Sequence, residues 1–78
     1  MKEVATIKSL TDKEKRFAEL AAENFYAPIS KTNTQLAIEA GYAKDSARQR
    51  AYENFNPRIK PNVVIRIEEL KEDFRVRN

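Results

Sequence analysis

The chain contains no cysteine and no histidine. Without cysteine there is no disulfide framework and no thiol catalysis, and without either residue zinc sites of the usual Cys/His kind and imidazole catalysis are also excluded. A single glycine, Gly41, leaves nothing resembling a Gly-rich phosphate loop. An enzyme is not expected, and no cofactor or metal is implied. No apolar run approaches the ~18 residues that cross a bilayer. The opening MKEVATIKSL lacks the apolar core of a signal peptide. The expectation is a soluble, unsecreted protein with no membrane partner. Strand alternation, internal repeats and low-complexity tracts are absent from the sequence.

What is present is charge, unevenly placed. Residues 1–43 and residues 61–78 each hold equal numbers of acidic and basic side chains. The whole net charge of +3 comes from residues 44–60, where Lys44, Arg48, Arg50, Arg58 and Lys60 face only Asp45 and Glu53. A local basic patch is what a polyanion-binding surface needs, because each neutralised phosphate releases counterions. A solvated helix face is the competing reading of the same charges.

With 78 residues, one domain is the natural prior. A chain this short buries a modest share of its surface, so support from an oligomer, a ligand or a further segment fits. Residues 1–9 show no clear period and read as a flexible lead-in. Thr11-Asp12-Lys13-Glu14 is a capping box that opens a helix from about Asp12 to Phe25. Phe17, Leu20, Ala21 and Phe25 follow at helical spacing, widened by Ala18 and Ala22, and both phenylalanines read as core. YAPISKTN interrupts the pattern. Asn33 or Thr34 can cap a second helix of about two turns, which carries Leu36, Ala37 and Ala40 and ends at Gly41.

KDSARQRAYENF is a third helical run, with Ala47, Ala51 and Phe55 on one face. Ser46 and Arg50 lie on one flank, Arg48 and Tyr52 on the other. Asn56-Pro57 stops it, and Pro61 suits the first turn of a fourth helix. Val64, Ile67, Leu70, Lys71 and Phe74 trace the inner face of that helix, Val63 broadens it and Ile65 lies off it. Its acidic pairs Glu68-Glu69 and Glu72-Asp73 alternate with Arg66 and Lys71, which reads as i,i+4 pairing rather than Mg²⁺ binding. The expected fold is all-α, a small helix-turn-helix bundle of about four helices.

Two short helices about a Gly-containing turn are the signature of a helix-turn-helix. Ala37 lets the two helices approach closely, and Tyr42 packs into the turn rather than on a base. In such a unit the second helix enters the major groove, with its N-terminal residues at base edges. That half of the helix offers Lys44, Asp45, Ser46, Arg48 and Gln49. Arg or Lys reads guanine, Gln reads adenine and an acid accepts from cytosine. Asp45 or Ser46 capping the helix is the plainer role for each. Arg58 and Lys60 suit phosphate contacts, and Thr34 and Gln35 can reach the DNA backbone through helix-start N–H groups. Arg50 stands where such units usually carry an aliphatic residue. Either its stem is buried with its guanidinium towards DNA, or the register shifts by one and Ala51 does the packing.

LTDKEKRFAEL, NTQLAIEAGYAKDSARQRAYENF and KPNVVIRIEELKE together resemble the small subunit of bacteriophage terminase. The matching positions are Leu10-Thr11, Lys13 and Phe17, then Ala37 and Ala40-Gly41-Tyr42, then Ser46-Ala47-Arg48, then Pro61, Val63 and Ile67. The resemblance spans about residues 10–72. The chain departs from the pattern in a longer YAPISKT loop, an NPRI insertion, Ala43 in place of a frequent serine, and Arg50. The resemblance implies a helix-turn-helix domain over 10–60 and, over 61–78, a helix that can begin an oligomerisation region. It implies double-stranded viral DNA as ligand, with recognition of the packaging-initiation site. It also implies recruitment or regulation of the terminase large subunit, which carries the ATPase and nuclease, and a homo-oligomeric ring in a full-length protein in the host cell cytoplasm. A helix-turn-helix module of a transcriptional regulator, transposase or integrase is the alternative from the residues alone.

Overall fold

The computed structural model describes residues 9–77. Among them are four helices, α1 (Asp12–Tyr26), α2 (Asn33–Ala40), α3 (Ala47–Asn54) and α4 (Pro61–Arg77), and no strand. The fold is all-α, as the periodicity requires. The lead-in expected over 1–9 lies outside the described residues except for Ser9. That residue is anchored, because Asn62 Nδ2 donates to its Oγ at 2.7 Å.

The capping box opens α1 as read from the sequence. Glu14 N–H donates to Thr11 Oγ1 at 3.1 Å, and Thr11 N–H donates to Glu14 Oε1 at 2.9 Å. The helix ends at Ala27, which is extended, as the residue before a proline prefers to be. Phe17 is wholly buried with Ala18, Leu20 and Ala21. Phe25 is not core, contrary to expectation, and is 62% exposed. It shares the stripe by angle but lies beyond the core, edge-to-face with Tyr26 and under the Lys71 ammonium, 4.0 Å from its ring centre. An exposed ring there still gains from the cation above it. Tyr26 fastens the same end by donating its hydroxyl to Lys71 O at 3.0 Å.

The loop between α1 and α2 is clasped at both edges of one amide. Lys31 N–H donates to Asn24 Oδ1 at 2.7 Å, and Asn24 Nδ2 donates to Lys31 O at 3.1 Å. The cap of α2 is Thr32, not Asn33 or Thr34. Thr32 and Gln35 form a second capping box, with N–H to oxygen distances of 3.2 and 2.9 Å. Gly41 closes α2 in the left-handed region at φ 108°. Tyr42 N–H donates to Ala37 O and Gly41 N–H to Ile38 O, at 3.1 and 3.0 Å. These are the two bonds of a Schellman motif, which satisfies the last carbonyls while turning the chain.

The third helix begins at Ala47 rather than Lys44. Residues 44–46 form a turn, in which Ser46 Oγ donates back to Ala43 O at 3.3 Å, so neither Asp45 nor Ser46 caps α3. Ala47 and Ala51 are buried, as their shared face requires, but the residue that completes this face is Asn54, 1% exposed. Phe55 sits at the edge, 37% exposed, edge-to-face with Phe17 at 5.2 Å. On α4, Val63 and Ile67 are buried and Val64 is only half-buried. The inner face is therefore centred on Val63 and Ile67, with Leu70 against the core. Ile65 is exposed, off that face. Pairing on α4 is i,i+3, as in Arg66–Glu69 and Lys71–Glu68, and not the expected i,i+4.

α1 is the spine of the bundle, packing against α4 and α2, while α2 packs on α3. Its register to α4 is held by Lys60, whose ammonium lies 2.8 Å from Oε2 of the buried Glu14. Burial pushes the Glu14 carboxyl up. The hydrogen bond from Lys60, those from Thr11 and the Lys60 charge outweigh it and leave the group below its ordinary value. Lys60 is raised in turn, chiefly by its hydrogen bond to Glu14.

Two outcomes follow. Gly41→Val should destabilise the fold by about 1–2 kcal/mol, because a branched side chain is strained in the left-handed region. An added Cβ meets only Lys13 carbons at 3.7 and 3.8 Å, so strain rather than collision is the cause. An unchanged urea midpoint would refute this. Because the folded-state pKa of Glu14 is depressed, its contribution is present above the ordinary value of 4.5 and lost as pH falls through the folded value. Glu14→Gln should lower stability at neutral pH and flatten the acid limb of a stability–pH profile, and a limb as steep as that of the unaltered chain would count against it.

Candidate nucleic-acid interface

The helix-turn-helix unit is α2, the Gly41 turn and α3. Small residues bring its helices together: Ala37 and Ala40 on α2, Ala47 and Ala51 on α3, all buried. The turn is filled by Tyr42, as expected. Its hydroxyl accepts from Asn54 Nδ2 at 3.2 Å, and the Lys13 ammonium lies 5.8 Å from its ring centre. Asn54 is the inward residue that periodicity missed, because an amide on an alanine face gives no hydrophobic signal. Its link to Tyr42 leaves no buried side-chain polar atom unpartnered among the described residues.

The candidate residues divide into two groups. Ser46, Arg50 and Lys60 line a hollow of about 540 Å³ between the start of α1, the turn and α3. That hollow also holds Lys13 together with Asp12, Glu14 and Glu53. Three cations against three carboxylates make no anion trap. Arg50 is exposed and pairs with Glu53 at 3.1 Å. Ala51 is buried, and the Arg50 side chain is half exposed with its guanidinium turned to Glu53. Gln49 Nε2 also donates to Glu53, at 3.2 Å. The hydrogen bonds from Gln49 and then Arg50 hold the Glu53 carboxyl below its ordinary value. Lys60 is engaged by Glu14, which makes its first role structural.

The second group faces outward. Lys44, in the turn, and Arg48, in the first turn of α3, are exposed. Arg58 is exposed in the connector, where its N–H donates to Asn56 Oδ1 at 2.9 Å. None of the three has an acidic partner among the described residues, so the fold leaves these cations free for an external anion. At the start of α2, Thr34 is half-buried and the Gln35 side-chain oxygen is committed to the Thr32 cap. Asn33, the first residue of α2, lines a second hollow with Tyr52, Phe55, Asn56 and Pro57. The start of α2 therefore lies beside the C-terminal half of α3, and Arg48 and Arg50, two positions apart on that helix, lie on opposite flanks by helical geometry.

No helix among the described residues is long and apolar enough to cross a membrane. Tyr42→Phe removes the acceptor of a buried amide and should cost roughly 1–3 kcal/mol, read as a lower urea midpoint. A midpoint within error of the unaltered chain would show that Asn54 has another partner. No family model, curated protein or solved structure gives a significant match to this chain.

Proposed function

We propose that this chain binds double-stranded DNA through its helix-turn-helix unit, with α3 in the major groove. The observation that carries the reading is that Lys44, Arg48 and Arg58, on and beside α3, have no acidic partner among the described residues, while the neighbouring Arg50 and Lys60 are neutralised by Glu53 and Glu14. Free guanidinium and ammonium groups next to an uncapped helix start suit phosphates and the guanine edge. Gln49 reaches the groove only by leaving Glu53. Ser46, held to Ala43, and Thr34 and Gln35, at the start of α2, are backbone contacts in this reading rather than base readers.

The biological role we assign is that of a bacteriophage terminase small subunit. The chain would recognise the packaging-initiation site on viral DNA and recruit or regulate the large ATPase and nuclease subunit. The support is the sequence resemblance over residues 10–72, above all Ala40-Gly41-Tyr42 followed by Ser46-Ala47-Arg48. A homo-oligomeric ring would multiply a weak single-site affinity. Co-purification with large terminase subunit, or stimulation of its ATPase, tests this role. DNA binding without either effect would favour a transcriptional or transposase module.

Lys44→Ala and Arg48→Ala should each weaken duplex binding and flatten the dependence of log affinity on log salt by about 0.9 for each phosphate no longer neutralised. Lys60→Ala should instead lower thermal stability and change that slope little. If the two outward variants bind as the unaltered chain does at two salt concentrations, α3 is not the DNA-facing helix.

A further inference from the structure

One flank of α3 is aromatic. Tyr52 is 61% exposed, and its hydroxyl makes no hydrogen bond among the described residues. Phe55 is held from beneath by the wholly buried Phe17 and open above. The two rings, with Asn33, Asn56 and Pro57, line a hollow of about 310 Å³. That volume is at the lower end of the range for small-molecule sites, roughly 300–1,000 Å³. Arg48 precedes Tyr52 by one helical turn on the same flank, and Arg58 follows Pro57 directly. Neither arginine has an acidic partner among the described residues, and no acid lines the hollow.

We infer that this hollow is a stacking site for an unpaired base of a DNA strand whose phosphates fall on Arg48 and Arg58. The inference rests on the DNA-binding reading above and adds a preference for locally melted DNA. Aromatic side chains stack on any base because every base has a π-face, whereas a paired duplex keeps those faces inside its own stack. Two cations and no acid around an exposed aromatic pair complement a strand that carries phosphates and bared bases, not an apolar peptide. The Asn33 amide makes no hydrogen bond among the described residues and can bond the edge of the stacked base, and Asn56 offers its Nδ2 while its Oδ1 holds the Arg58 N–H.

The test compares two fluorescein-labelled probes by anisotropy with the full 78-residue chain. One probe is a duplex, and the other is the same duplex with a central bubble of unpaired thymines and an equal phosphate count. The bubble should bind about tenfold tighter, the effect of one stacked base. Tyr52→Ala should bring the ratio of the two affinities close to one, and Tyr52→Phe, which keeps the ring, should preserve it. Equal affinity for the two probes, a ratio unmoved by Tyr52→Ala, or its loss in Tyr52→Phe would each overturn the stacking site while duplex binding stands. Failure of the unaltered chain to bind either probe would overturn the DNA-binding reading and the stacking site with it.

Discussion

The two oxygens of the Glu14 carboxylate tie the bundle together. Oε1 accepts Thr11 N–H and closes the cap of α1, while Oε2 takes the Lys60 ammonium one residue before α4 begins. A buried carboxylate is costly unless it is hydrogen-bonded and paired, and here one group receives both. The pairing sets the start of α4 against the start of α1. Val63 and Ile67 then join Leu10, Phe17 and Leu20 in a single core. The opposite ends of the same helices meet through Tyr26, Lys71 and Phe74. With α1 fixed at both ends, its remaining face is free to carry α2, and α2 carries α3.

Folding also decides which positive charges remain available. Residues 44–60 hold the whole charge excess of the chain, yet two of their five cations are neutralised internally. Arg50 turns to Glu53 on the flank facing α1, and Lys60 turns to Glu14. Lys44, Arg48 and Arg58 are left exposed. The cations left available are thus fewer than the sequence count implies. Neutralisation of Arg50 and Lys60 keeps the polar hollow between α1 and α3 electrically balanced.

Helix positions were legible wherever a local rule governs them. Thr11 with Glu14, Gly41 at a left-handed position and Pro61 at a helix start act through backbone atoms a few residues away, and each stands where its chemistry puts it. Thr32 with Gln35 obeys the same capping rule and was legible in principle, but the adjacent Asn33 and Thr34 are equally good caps in isolation. The start of α3 was displaced because residues 44–46 have helical residue types but are held in a separate turn, closed by Ser46 bonding back to Ala43. Phe25 was misplaced because a helical stripe gives the angle of a residue, not whether a neighbour exists at that height. Asn54 was missed because its burial depends on Tyr42, twelve residues earlier.

By itself, therefore, the sequence determined four helices, the glycine turn between the second and third, and the segment where positive charge accumulates. Those features follow from periodicity, capping and composition, which act over one or two helical turns. Only the tertiary structure decided that Lys60 is an internal counter-ion and that Tyr52 and Phe55 share a hollow with Asn33. Each of these depends on distances between residues far apart in the chain, as with Glu14 and Lys60, and on which side chain reaches a partner first. Periodicity and composition carry no information about either.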